Sequence, residues 1–280
     1  MIKVIIMDVD GTLVTSNGEI SEITKKALIT AQVHGIKVIL ASGRPTSGMQ
    51  PLIKALKLDQ YGGYIVSYNG ACVIDCATNE ILYQKTMSVE SSKAVLQYLK
   101  QFEITPMIDK DDYMYVTDVF NNMITYNNKP FNVLQYESRG GFYKLCEVDD
   151  LVEFVDFPIH KILTYGEPSY IEANYQKMME PFKESLHCVR TSAFYFEYTA
   201  KGIDKASALD CVITPLGYKP EEMMAFGDGH NDASMLKYVG LPIAMGNAVD
   251  ELKAFCYDTT KSNDEDGIVY ALKKYLPEIF

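Results

Sequence analysis

The sequence predicts an α/β fold, a parallel-sheet core interrupted by an inserted α+β domain. Three observations point there. Short apolar runs rich in β-branched residues recur at 2–7, 36–41, 64–67 and 223–226, the mark of strands buried on both faces. Amphipathic helical patterns separate them at the short intervals of right-handed βαβ units. Between about 85 and 191 the rhythm changes to paired short strands and crowded polar connections.

The elements follow in order. Ile2-Lys3-Val4-Ile5-Ile6-Met7 is the first strand, and Gly11 with the polar residues after it ends it. Ser21 is placed to N-cap a helix whose buried face is Ile23, Ala27, Leu28 and Ala31, with Gly35 as its stop. Ile36 to Ala41 is the second strand, followed by Ser42-Gly43-Arg44-Pro45, a helix through about Leu56, and the strand Tyr64 to Ser67. The middle third carries helical patterns at Ser91 to Phe102 and Ser169 to Phe182. Strand pairs such as Ile104 to Ile108 with Tyr113 to Thr117 imply an antiparallel sheet there. A helix near Asp204, the strand Met223 to Phe226, a turn from Gly227 to His230 into another helix, a short strand Leu241 to Met245 and a closing helix Gly267 to Tyr275 complete the chain. The expected division is therefore 1–84 with 192–280 as one α/β core sharing a single sheet, and 85–191 as the insertion.

Composition narrows the function. At 280 residues, with 48% hydrophobic and 22% charged residues, the chain is long enough for two domains and has ample core material. A formal net charge of −11 argues against a nucleic-acid or anionic-membrane partner. No stretch is long and apolar enough to span a membrane and no secretory leader is recognised, so a cytoplasmic location is expected. Cys72, Cys76, Cys146, Cys188, Cys211 and Cys256 lack zinc-site spacing and read as buried free thiols in a reducing compartment. Oligomeric state is not readable.

Four polar clusters fall at strand ends or a helix start. Asp8 and Asp10 lie at the carboxyl edge of the first strand, where open α/β sheets bind ligands. Residues two apart in extended chain face the same side, so both carboxylates converge on one ion. Ser42 and Gly43 offer a hydroxyl and backbone N–H groups at a helix start. Lys205 opens another helix, and Gly227-Asp228-Gly229-His230-Asn231-Asp232 follows a buried strand. Singly, each has an ordinary structural reading: an Asp-Gly turn, a glycine-containing turn, a solvated lysine, a capped loop. Together they make a phosphoryl-transfer site. Asp8 and Asp228 supply carboxylate oxygens to a hard divalent cation, Mg²⁺ fitting best. Asp10 adds its main-chain carbonyl and keeps its side chain for proton transfer. One carboxylate acts as nucleophile, forming an aspartyl phosphate. Metal, Lys205, Ser42 and backbone amides neutralise the phosphoryl oxygens, which resolves how so acidic a chain holds an anion.

Asp8-x-Asp10-Gly11-Thr12-Leu13, Ser42-Gly43-Arg44, Lys205 and Gly227-Asp228-x-x-Asn231-Asp232 match in order the four motifs of the haloacid dehalogenase-like hydrolases. The Cof-type sugar phosphatases are the subgroup that the chain most resembles, with further likeness at Asn69-Gly70-Ala71, Met245-Gly246-Asn247-Ala248 and Asn263-x-Glu265-Asp266-Gly267-Ile268. The resemblance spans both α/β parts and implies a Rossmann-like core with a large cap inserted before Lys205. It implies that Asp8 is the nucleophile, and Asp10 the general acid and then base. Asp8, Asp10 and Asp228 hold magnesium. Val9, Ser42, Gly43, Lys205 and Asn231 bind phosphate, and Asp232 supports the site. Arg44 belongs to the second motif with a structural role, and His230 departs from the residue types expected at its position and reads as a surface histidine. The cap closes over the sheet edge and faces the leaving alcohol; Asp111, Tyr113 and Lys144 are candidates there. The implied activity is magnesium-dependent hydrolysis of small phosphorylated metabolites, sugar phosphates above all. The alternatives are a phosphomannomutase-like phosphotransferase and a non-catalytic phosphometabolite-binding module, the latter disfavoured by the retained acidic residues.

Overall fold

The computed structural model describes all 280 residues, which divide into two compact units, Met1–Gln84 with Asp204–Phe280, and Lys85–Ile203. The first unit is built on one eight-stranded sheet. Its order is Asp258–Thr259, Leu241–Ala244, Met223–Gly227, Val4–Met7, Lys37–Ala41, Tyr64–Ser67, Cys72–Asp75, Ile81–Gln84. The two α/β parts of the chain thus share a sheet, as the sequence implies. Val4–Met7 is buried along its whole length and sits between Met223–Gly227 and Lys37–Ala41, pairing parallel with both. From there the chain winds one way through the next two strands, and later the other way from Met223–Gly227. The point of reversal is the place where an open α/β sheet leaves a crevice at its carboxyl edge.

The sheet is not parallel throughout. Cys72–Asp75 and Ile81–Gln84 run antiparallel to their neighbours and close the edge as hairpin strands. On one face Val4, Ile6, Ile39 and Ala225 pack with Leu209, Val212, Met235 and Leu236 from the helices Lys205–Val212 and Ala233–Tyr238. The helix Glu22–Val33 is capped as expected, the Ser21 hydroxyl accepting from the Thr24 N–H. Its buried face differs. Ile23 is 58% exposed, while Thr24 and Gln32 are buried with Ala27, Leu28 and Ala31. Thr24 can take an inner position because its hydroxyl donates to Asp266, and the Gln32 amide donates to the Leu56 carbonyl.

The second unit has a six-stranded sheet, ordered Lys144–Glu147, Tyr113–Val116, Thr105–Lys110, Lys161–Tyr165, Tyr195–Ala200, Leu186–Val189. Four of its pairings are antiparallel, as the sequence implies, but Lys144–Glu147 adds to the edge in parallel. Between Tyr113–Val116 and Lys144–Glu147 the chain passes through a hairpin and the helix Val133–Gly141, a crossover long enough for the return strand to run the same way. A separate hairpin joins Met123–Tyr126 to Lys129–Asn132. Helices Val89–Leu99 and Pro168–Met179 contribute to a core around Val95, Leu96, Ile162, Ile171, Phe196 and Tyr198. The border of this unit lies at Ile203/Asp204, later than the expected 191/192, because Tyr195–Ala200 pairs with Lys161–Tyr165. All six cysteines are free, as expected, but only Cys72 and Cys76 are buried and Cys211 is exposed. No helix is long and apolar enough to cross a membrane.

Candidate active site

Adjacent parallel strands put two carboxylates side by side. Met7 pairs with Phe226 in register, so Asp8 and Asp228 both emerge just past the same edge of the sheet. The Asp8 N–H still donates to the Phe226 carbonyl, 3.1 Å, which holds the first turn after the strand against its neighbour. Gly11 then turns the chain at φ +78°, and a Cβ there would fall 2.3 Å from Asp228 Oδ2. Only glycine meets both demands.

Lys205 is the centre of charge. As the first residue of its helix it is completely buried, and its Nζ donates to Asp8 Oδ1 and to Asp232 Oδ1, each at 2.6 Å. Asp204 before it caps the helix, its side chain accepting from the Ser207 N–H. Asp232 is also buried. Its second oxygen accepts from the N–H groups of Asp228 and Gly229 at 2.9 and 3.0 Å, so this carboxylate shapes the turn that presents Asp228. Thr12 steadies Asp228 from the first motif, its hydroxyl donating to Oδ1 at 2.8 Å.

Three carboxylates therefore face one ammonium. Oxygens of Asp8, Asp228 and Asp232 lie within 4.8 Å of one another. Burial raises the Asp8 carboxyl well above the usual range, to about 7; Asp232 and Asp228 add to this and Lys205 opposes it. Burial likewise raises Asp228. Lys205 stays charged, since Asp8 and Asp232 outweigh a burial that works the other way. The excess negative charge fits a hard cation. Asp232 is committed through both oxygens, whereas Oδ2 of Asp8 and of Asp228 carries none of these bonds, so Asp8 and Asp228 are the free donors.

The remaining expected residues have the following surroundings, each within its own unit. Ser42 is buried; its Oγ accepts from the Arg44 N–H, leaving the hydroxyl proton for an anion. Val9 is buried, and its carbonyl accepts from the N–H groups of Leu13 and Val14, both at 3.0 Å. Asn231 is exposed and donates from Nδ2 to Asn69 Oδ1, 3.1 Å. His230 is exposed. Asp10 is turned away from the lysine: its carboxylate accepts two bonds from Arg44, Nε to Oδ2 at 2.9 Å and Nη2 to Oδ1 at 2.7 Å. Sequence reading placed Arg44 in the motif without finding this partner. In the second unit Lys144 lies in register with Tyr113 and pairs with Asp112 at 2.6 Å, while Asp111 occupies the exposed turn beside them.

The tail motif braces the first. Asn247 Nδ2 donates to the Gly11 carbonyl at 2.8 Å, Asn263 Nδ2 to the Val14 carbonyl at 2.9 Å, and Asp264 accepts from the N–H and hydroxyl of Ser16. The likeness at these stretches was visible in the sequence; that they hold the loop after Asp10 was not.

Comparison with known proteins shows the family. The profile of the haloacid dehalogenase-like hydrolases matches residues 5–272. A Streptococcus pyogenes serotype M6 protein, provisionally named a phosphatase, is 28% identical over 98% of each chain. The crystal structure of a haloacid dehalogenase-like hydrolase from Bacteroides thetaiotaomicron superposes with a TM-score of 0.90 at 29% identity, covering 98% of this chain and 99% of that one. A structure described as a subclass IIB sugar phosphatase superposes at 0.78 and 25% identity, covering 99% and 100%.

Proposed function

The chain belongs to the haloacid dehalogenase-like hydrolases and is a phosphatase of that superfamily, and from this premise we propose that it hydrolyses small phosphorylated metabolites, sugar phosphates foremost, with magnesium and through a phosphorylated Asp8. The observation that carries the reading is Lys205 bridging Asp8 and Asp232 with Asp228 alongside. No structural need explains three carboxylates gathered on one buried lysine, since buried charge is costly.

Asp8 attacks phosphorus through a carboxylate oxygen. The new O–P bond forms as the ester O–P bond breaks, and Asp10 gives a proton to the departing alcohol oxygen. Asp10 then takes a proton from water as that water attacks phosphorus, and inorganic phosphate leaves Asp8 free. Lys205, the Ser42 hydroxyl, the Val9 and Gly43 backbone and the Asn231 amide neutralise the phosphoryl oxygens. Asp8 and Asp228, with Asp10, would hold Mg²⁺, which when bound would supply positive charge against the same oxygens. Two bonds from Arg44 hold the Asp10 side chain in a defined place here, and they must give way for Asp10 to carry the proton that it delivers to the leaving oxygen. Preference among esters is assigned to the Lys85–Ile203 unit. The sugar-phosphate class is supported by the subclass IIB sugar phosphatase likeness.

Phosphate release from a panel of esters, with and without Mg²⁺, tests the reading. Wild-type protein is expected to release phosphate only with the metal. Asp8→Asn is expected to lose on the order of 10³-fold or more while remaining folded. Release that is indifferent to magnesium, or that survives in the variant, sinks the mechanism.

A further inference from the structure

The link between the strands Tyr64–Ser67 and Cys72–Asp75 is more contorted than the hairpin requires. Tyr68, Asn69 and Gly70 all have positive φ, at 52°, 56° and 110°. A tight hairpin turn needs positive φ at two central residues, and Asn-Gly supplies both at little strain. Tyr68 is a third, with a bulky side chain that disfavours this region. Strain of this kind persists where the surroundings over-determine it, and it clusters at functional sites.

The surroundings here are the three anion-binding motifs. The Tyr68 N–H donates to the Arg44 carbonyl at 2.9 Å and the Asn69 N–H to the Ser42 carbonyl at 2.8 Å, strapping the turn to the second motif. A Cβ at Gly70 would fall 2.3 Å from the Asp204 carbonyl oxygen, so the turn also presses on the residue that precedes Lys205. The Asn69 side chain lies against Gly43, and its Oδ1 accepts from Asn231 Nδ2 in the fourth motif. One amide thus joins the second motif to the fourth.

We propose that Asn69 is a positioning residue of the anion site: it fixes the Asn231 amide so that the other N–H of Asn231 points to phosphate, and the strained turn holds Asn69 in that place. The inference rests on the phosphate-binding reading of Asn231 given above. An asparagine amide has N–H donors on one side and an acceptor oxygen on the other, and an amide free to flip is not set in advance to meet an anion with its donors. Acceptance by Asn69 Oδ1 forbids the flip. Asn231 therefore meets the anion as a donor.

Asn69→Gly separates function from structure. Glycine takes a positive φ freely, so the turn keeps its shape and the thermal midpoint is expected to hold or rise, while the bond to Asn231 is lost. The competitive inhibition constant of inorganic phosphate is expected to rise about five- to tenfold, the worth of one oriented hydrogen bond. KM rises in parallel and kcat changes less. Adding Asn69→Gly to Asn231→Ala is expected to cost nothing further, since both remove one interaction. A lower midpoint with the lost affinity would make the turn a folding device and overturn the proposal, as would unchanged phosphate affinity or fully additive losses. If Asn231→Ala alone leaves phosphate affinity intact, the premise about Asn231 falls and this inference with it, while magnesium-dependent phosphate release by the wild-type protein leaves the phosphatase reading standing.

Discussion

Two basic residues serve the site in different ways. Lys205 is a buried point charge between Asp8 and Asp232. Arg44 is a planar fork on one partly exposed carboxylate, with a side-chain exposure of 23% against 60% for Asp10. A lysine at 44 reaches Asp10 with one donor and loses the two-bond geometry. The pair is too exposed to matter much for stability, so Arg44→Lys is expected to move the unfolding free energy by less than about 1 kcal/mol. Turnover should suffer selectively. On the proposed mechanism Asp10 protonates the leaving oxygen, so alkyl phosphates, which need that proton, should slow by about tenfold or more while aryl phosphates with acidic leaving groups are spared. Equal losses on both esters would mean that Arg44 does not act through Asp10. The residue types were legible in the sequence because each sits in a local pattern at a strand end. The pairings Arg44 to Asp10, Thr12 to Asp228 and Asn231 to Asn69 were not, since each partner is set by which strands lie side by side.

At the scale of elements, strands buried on both faces and capped helices were readable, and rotation and direction were less so. Ser21 was found as a cap from its place before an amphipathic run, yet the helix buries Thr24 where Ile23 was expected. The periodicity of short helices tolerates a shift of one position, and the decisive partner, Asp266, comes from the other end of the chain. The two-residue strand Asp258–Thr259 carries too little pattern to be seen, and the parallel edge strand Lys144–Glu147 obeys a connection the sequence does not spell out. Ser21 joins two structures at once. Its hydroxyl caps Glu22–Val33 and donates to Asp266, the residue before the closing helix Gly267–Tyr275. Ser21→Ala is therefore expected to cost about 1–2 kcal/mol, the upper part of the range for a lost N-cap. The phosphatase turnover should stay near wild type, because Ser21 bonds to none of Asp8, Asp10, Asp228 and Asp232. Denaturant midpoints with kcat measured beside them check this, and a cost near zero would show that the bond to Asp266 carries no stability.

The whole molecule is two units with separate cores, so its unfolding need not be a single transition. Acid is expected to tell them apart. His160, in the Lys85–Ile203 unit, has its pKa lowered by burial, with Asp109 opposing only in part. The unfolded chain then binds a proton more readily than the folded one as pH falls past the ordinary histidine value of about 6.5. Stability from the neutral, half-buried ring is thus fully present above that value. It is lost as pH drops through the lower folded value, because protonation demands that the ring leave its site. The net charge of −11 pulls the other way, since protons relieve self-repulsion over the same range. A glutamine at 160 keeps a polar side chain without the titration. Urea unfolding at pH 7.5 and 5.5 is expected to show the wild-type transition of the inserted unit falling further than that of His160→Gln. The carboxylates and overall charge respond alike in both proteins, so the difference between the two falls belongs to the imidazole. Equal falls would mean that burial of His160 has no hold on the stability of the unit.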